Sequence, residues 1–138
     1  MWIQKEINLK PQKRGFHLIT DQILLNLPEL EKIKIGLVNI FLKHTSASLS
    51  LNENADPDVR VDMENFFSEI TDNKQYFTHN SEGNDDMPAH IKSSVLGSSL
   101  TIPITNGRLN LGMWQGIYLC EHRNNSGSRK IFITINGE

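Results

Sequence analysis

Residues 34–44 read KIGLVNIFLKH, and this run decides the fold class. Ile, Leu, Val and Phe occupy both alternating faces, which predicts a strand covered on both sides and central in a sheet. Val38, Ile40, Leu42 and His44 share one parity, so an imidazole ends a row of apolar side chains as the strand leaves the core.

Toward the N-terminus, residues 2–9 alternate as an extended segment and residues 11–15 break it. Phe16, Leu18 and Ile19 resume the apolar pattern, and Thr20 or Asp21 caps a short helix that stops at Leu27, before Pro28. Toward the C-terminus, Asp56 suits an N-cap and Pro57 the first helical position. Val59, Met63, Phe66, Phe67 and Ile70 then recur at helical spacing, which predicts a helix over about 57–70. The polar stretch TDNKQYFTHNSEGNDD (71–86) predicts a long loop. Asp86, Pro88 and Gly97 bracket another short helix. The remainder reads as strands, with Asn106-Gly107 as a two-residue hairpin turn. The expected architecture is α+β: one compact domain over 1–138, mostly antiparallel β-sheet with two to three helices.

At 138 residues and 38% hydrophobic content the chain buries a core without disulfide or metal, so any metal serves another purpose. Fourteen Lys+Arg against sixteen Asp+Glu leave a net charge of -2, without the basic footprint of a general nucleic-acid binder. The single cysteine, Cys120, lies in an apolar run and reads as a small core residue, which fits a reducing, cytoplasmic setting. No run approaches the roughly 20 apolar residues of a membrane span, and MWIQKEINLK carries charges where a signal peptide needs its apolar core. No membrane or nucleic-acid partner is expected.

Three polar segments hold candidate chemistry. HTSASLSLNENAD (44–56) follows the apolar strand directly; Ser46, Asn52 and Asn54 are candidates for holding a substrate, against the plainer reading that hydroxyls and amides satisfy turns and cap the next helix. HNSEGNDDMPAHIKSS (79–94) combines Glu82, His90, Lys92 and Ser94; its Asp85 and Asp86 read as helix-capping acids. WQGIYLCEHR (114–123) is a second strand with a histidine at its exit. Tyr118, Cys120 and His122 lie on one parity, Gln115, Glu121 and Arg123 on the other, and Glu121 with Arg123 reads alternatively as solvated charge. His44, His90 and His122 form no local metal motif, so the fold must bring them together. If they converge, three imidazoles and a water make a Zn²⁺-type site with an open position, served by Glu82 or Glu121 as orienter or proton carrier. Lys92, Arg108, Arg123 or Arg129 would then meet an anionic substrate.

The segments GFHLITDQI, HTSASLSLNENADPDV, SEGNDDMPAHIKSSVLG, LGMWQGIYLCEHR and RKIFITINGE, in this order, resemble the YjbQ family, also called the secondary thiamine-phosphate synthase family. The resemblance covers nearly the whole chain, departing from the family pattern at Asn84-Asp85-Asp86-Met87. It implies an α+β homotrimer with sheets around the threefold axis and a polar site near subunit boundaries. It also implies that His44, His90 and His122 bind a divalent metal, Zn²⁺ first, or Mg²⁺ with a pyrophosphate substrate.

The implied activity joins an aminopyrimidine pyrophosphate to a thiazole phosphate with release of pyrophosphate, as a weak or secondary transferase reaction. On that reading Glu82, Lys92, Glu121 and Arg123 serve catalysis, while Ser46, Asn52, Asn54, Ser94, Arg108 and Gln115 hold substrate. Two other readings use the same side chains: a metal-assisted hydrolase of a small phosphorylated or acylated metabolite, and a non-catalytic trimer that binds a metal or metabolite.

Overall fold

The computed structural model describes all residues, 1–138. The chain runs β1 (Trp2–Leu9), β2 (Gly15–Leu18), α1 (Thr20–Leu25), a short 3-10 helix (Pro28–Lys32), β3 (Ile35–Leu42), β4 (Ala47–Glu53), α2 (Pro57–Thr71) and α3 (Asp86–Leu96). It ends with β5 (Ser99–Thr105), β6 (Arg108–Leu109), β7 (Gln115–Glu121) and β8 (Arg129–Gly137). All strand pairs are antiparallel and form two sheets, ordered β1-β8-β3-β5-β6 and β2-β7-β4. No helix is long and apolar enough to cross a membrane.

Side-chain alternation turns these two sheets into three layers. Val38, Ile40 and Leu42 of β3 meet Ile131, Ile133 and Ile135 of β8, and pack with Leu49, Ile117 and Leu119 of the smaller sheet in one continuous core. The other parity of the smaller sheet, Phe16, Tyr118 and Cys120, packs against Met63 and Phe67 of α2 and Leu96 of α3. The strand covered on both faces is therefore β7, which is buried from Gly116 to Glu121, and not β3 as the apolar run suggested. β3 is central in its sheet, but the chain places nothing over that sheet's outer face. Ile35, Leu37 and Phe41 stand 62%, 53% and 45% exposed there.

Local signals set the helix ends. Asp56 Oδ1 accepts the Asp58 N–H at 2.9 Å at the start of α2, and α3 stops at Gly97, whose φ is 96°. Asn106 and Gly107 have φ of 50° and 79°, the paired positive values of the hairpin turn. Two local readings change. Thr20 does not cap α1; its hydroxyl accepts the Ile117 N–H at 2.9 Å, and α1 gives way to the 3-10 helix at Pro28. Residues 47–53, part of a segment whose hydroxyls and amides were expected to hold substrate or to satisfy turns, form β4, because Ala47 and Leu49 alternate into the core with Ser48 and Ser50 on the helix side.

Candidate metal centre

The first turns of α3 and the loop before it build the most concentrated chemistry in the fold. Asp86 and His90 are one helical turn apart, so their side chains meet on one face, and the loop returns His79 to the same point. His79 Nε2 lies 2.6 Å and His90 Nε2 3.0 Å from the same Asp86 oxygen, Oδ2. One ligand atom from each of the three lies within 4.8 Å of the others. Asp86 is buried and both imidazoles are half-buried.

The hydrogen-bonding roles at His90 test whether these residues fit a metal. Its Nδ1 is 2.8 Å from the Thr45 carbonyl oxygen, which only accepts, so Nδ1 carries a proton. In a neutral ring Nε2 is then a lone pair facing a carboxylate oxygen, two acceptors in contact. A second ring proton or an intervening cation relieves this. Two imidazole nitrogens and a carboxylate oxygen suit Zn²⁺ and similar ions, and an Nδ1–H bonded to a carbonyl is the usual outer contact of a metal-bound histidine. The residues therefore fit a divalent metal.

Arg123 holds the acids in place. From the exit of β7, its Nε donates to Asp85 Oδ2 at 2.9 Å and Nη2 to the Glu82 carbonyl at 2.9 Å, while Nη1 donates to Asp86 Oδ1. Asp85 also accepts the Asn124 N–H at 2.8 Å, and caps nothing in α3. Burial works against the charge on Asp86, but the His79 hydrogen bond and the His90 and Arg123 charges outweigh it and keep that carboxyl below its ordinary pKa.

Two clefts reach this group. One, of about 320 Å³, is lined by Lys74, Phe77, His79, Asn80 and Asn84 among others. The other, of about 570 Å³, is lined by His44, Thr45, His90, Ser93, Ser94, Gly97 and Ser98. His79 thus opens on one cleft and His90 on the other.

The structure groups His90 with His79 and Asp86 rather than with His44 and His122. His44 shares the second cleft, but its Nε2 accepts the Lys130 N–H at 2.8 Å, so a backbone group already uses that lone pair. Burial, and then the charge of Arg129, lower its pKa. His122 lines neither cleft, because its parity on β7 turns it toward the helices. It is fully buried, with Nε2 2.8 Å from Ser48 Oγ. Burial, followed by the charges of Lys92, Arg14 and Arg129, pushes its pKa down to about 3.

The remaining candidates divide by what their polar atoms already hold. Glu121, read as solvated charge or as a proton carrier, is fully buried; its oxygens accept from Arg129 Nε at 2.7 Å and Nη2 at 2.6 Å, from Ser126 Oγ at 2.6 Å and from the Arg123 N–H at 3.1 Å. Arg123 is likewise committed to acids. Lys92 is fully buried away from both clefts, and burial, then Arg14, lower its pKa. Asn54 holds the carbonyls of Met113 and Gln115, Gln115 Oε1 accepts the Gly112 N–H, and Asn52 Oδ1 accepts the Glu53 N–H, so these amides serve turns. Ser46 lends its carbonyl to Arg129 at 3.2 Å. Arg108 stands exposed on β6 beside Thr105 and Asn106, remote from the histidines. Ser94 lines the second cleft. Glu82 is exposed, with Oε2 3.1 Å from His79 Nε2.

His79 and Asp86 are the site residues that sequence reasoning passed over. The four-residue spacing of Asp86 and His90 was the available signal, hidden because an aspartate before a helix reads as a cap.

The family model described as UPF0047 protein YjbQ-like matches residues 5–138. The chain is 53% identical over 138 residues to the UPF0047 protein YjbQ of Escherichia coli O157:H7, covering 100% of both. It is 42% identical over 118 residues to the UPF0047 protein YugU of Bacillus subtilis, covering 85% of this chain and 87% of that one. Among solved structures, a YbjQ-like protein of unknown function from Sulfolobus solfataricus matches with a TM-score of 0.86 at 27% identity, covering 100% of this chain and 99% of that one. A YjbQ/UPF0047-family protein from Clostridium acetobutylicum matches with a TM-score of 0.83 at 38% identity, covering 96% and 99%.

Proposed function

The chain belongs to the YjbQ-like UPF0047 family, and from that premise we propose a divalent-metal-dependent small-molecule enzyme of the secondary thiamine-phosphate synthase type. In the proposed reaction pyrophosphate leaves a benzylic-like carbon of an aminopyrimidine with the electron pair of the broken C–O bond, while the ring nitrogen of a thiazole phosphate gives its lone pair to the new C–N bond and becomes the thiazolium nitrogen. The supporting observation is the grouping of His79, Asp86 and His90, with His79 lining one cleft and His90 a second. A reaction that joins two molecules needs a place for each beside the charge-stabilising group, with the reacting atoms brought within about 3–3.5 Å.

His79 and His90 would hold the metal through Nε2 and Asp86 through a carboxylate oxygen. When bound, a divalent cation neutralises charge developing on a leaving pyrophosphate. Arg123 keeps Asp86 ionised and fixed, and the Thr45 carbonyl fixes the His90 ring. In the first cleft Lys74 is the cation for phosphate oxygens, with Asn80 and Asn84 for ring edges. In the second, Ser93, Ser94 and Ser98 offer hydroxyls to a phosphate. Glu82, whose carboxylate no arginine holds, stands beside His79, with Oε2 3.1 Å from Nε2. Cys120 is no nucleophile, since burial pushes its pKa up to about 12.

Asp86→Asn is expected to weaken Zn²⁺ binding by at least the roughly 10–100-fold that loss of an outer-shell partner costs, read by isothermal titration, and to lower thiamine phosphate formation from the two precursors. His122→Gln should leave Zn²⁺ affinity unchanged. Equal Zn²⁺ affinity in Asp86→Asn and the parent removes the metal assignment. Product from one phosphate ester without an acceptor supports the hydrolase reading instead, and Zn²⁺ binding without turnover supports a binding protein.

We propose further that the chain assembles as a homotrimer through the outer face of the five-stranded sheet, where Trp2, Leu37 and Phe41 stand in solvent. Light scattering should give the mass of three chains, and Phe41→Glu should lower it. A monomeric parent protein rules this assembly out.

A further inference from the structure

The end of β7 carries a carboxylate around which the following loop folds. Glu121 is fully buried, and its two oxygens accept four hydrogen bonds: from Arg129 Nε at 2.7 Å, Arg129 Nη2 at 2.6 Å, Ser126 Oγ at 2.6 Å and the Arg123 N–H at 3.1 Å. A carboxylate offers about four lone-pair sites, so none is left for a substrate, a metal or a travelling proton. The loop ordered in this way, residues 122–128 with Arg129 and Lys130 at the start of β8, reaches the metal group along two routes. On one, Arg123 places its guanidinium on Asp85 Oδ2 at 2.9 Å, on the Glu82 carbonyl at 2.9 Å and on Asp86 Oδ1, and Asn124 gives its N–H to Asp85 at 2.8 Å. On the other, residues 129 and 130 hold the turn between β3 and β4. Arg129 Nη2 donates to the Ser46 carbonyl at 3.2 Å, the Lys130 N–H to His44 Nε2 at 2.8 Å, and the Lys43 N–H to the Lys130 carbonyl at 3.1 Å. That turn presents the Thr45 carbonyl to His90 Nδ1 at 2.8 Å.

We infer that Glu121 is a positioning residue for the metal group, acting on Asp86 through Arg123 and on His90 through Arg129 and the 43–46 turn. The inference rests on the metal reading given above. Sequence leaves Glu121 as either orienter or proton carrier, and its filled acceptor sites select the first role. Loss of its charge has no local remedy. In Glu121→Gln one oxygen becomes an amide NH2, and both oxygens face guanidinium donors, so a donor is set against a donor whichever way the amide turns. The loop then loses the centre that fixes the Arg123 N–H and Arg129. Asp86 and His90 each lose the support behind the contact that aims them, and a ligand set that must be re-ordered on binding holds its ion less tightly.

Metal affinity and folding stability, measured on the same variants, separate this role from a merely structural one. Glu121→Gln should bind Zn²⁺ about 10-fold more weakly than the parent in isothermal titration, the lower end of what outer-shell partners of metal ligands contribute. Glu121→Met/Arg129→Met leaves no uncompensated buried charge, so it should recover urea stability without recovering Zn²⁺ affinity. Ile135→Ala, a core truncation toward the other end of β8, should lose stability and keep the affinity. A crystal structure of the metal-free double variant should show Arg123 off Asp86 and the 43–46 turn shifted from His90. Parent affinity in the double variant, the same fall in Ile135→Ala, or an unmoved Arg123 and turn overturns the inference and leaves the metal reading standing. A parent chain that binds no Zn²⁺ ends the metal reading instead, and the crystal structure still decides whether Glu121 sets the positions of Asp86 and His90.

Discussion

Arg129→Met is expected to destabilise the folded chain by about 3–5 kcal/mol, the usual cost of removing one partner from a buried ion pair. Glu121 is fully buried, and Arg129 grips both its oxygens, at 2.7 and 2.6 Å. Without the guanidinium the carboxylate stays in the core with only the Ser126 hydroxyl and the Arg123 N–H. The double variant Glu121→Met/Arg129→Met should recover much of the loss, because it leaves no uncompensated charge. Urea midpoints of the parent, the singles and the double variant measure the coupling. A single-variant loss under about 1 kcal/mol would place the pair among surface salt bridges. The pair also matters for the site, since the Arg123 N–H on Glu121 starts the turn whose guanidinium holds Asp86.

The second large effect is with acid. In the unfolded chain the His122 ring gains a proton near its ordinary pKa of 6.5, whereas in the fold burial, then the nearby cations, keep it neutral down to about 3. Between those limits the unfolded state binds one more proton. Stability from this residue is therefore fully present above about pH 6.5 and falls by about 1.4 kcal/mol per pH unit as pH drops toward 3. His122→Gln, which keeps a hydrogen-bonding side chain without the titration, should flatten the fall between pH 6.5 and 5. Asp86 and Asp85, whose pKa values are lowered, withdraw their stabilisation only further down, in the carboxylate range. Urea midpoints against pH separate the two, and an unchanged slope in the variant would mean that His122 is not held neutral.

How legible each element was follows from the range of the forces that make it. The Asp56-Pro57 start of α2, the Gly97 stop of α3 and the Asn106-Gly107 turn were readable because each depends on a few adjacent residues. β4 was not, because its serines and asparagine masked a two-residue alternation that only pairing with β7 makes meaningful. The same limit explains β3 and β7. Both are apolar runs, and which is covered twice depends on where α2 and α3 settle, information that neither run carries. Of the three histidines singled out from sequence, His90 alone joins the group with His79 and Asp86, since His44 answers a backbone N–H and His122 faces the helices.

Sequence alone established the family, the α+β class, the hairpin, the start of α2 and the stop of α3, because caps, turns and periodicity act over one or two turns of chain. Only the tertiary structure decided that His79 and His90 share one oxygen of Asp86, that Glu121 lies in the core against Arg129, and that Lys92 is buried. Those facts depend on the path of a long loop and on the register of β7, which are settled by contacts between residues far apart in the chain.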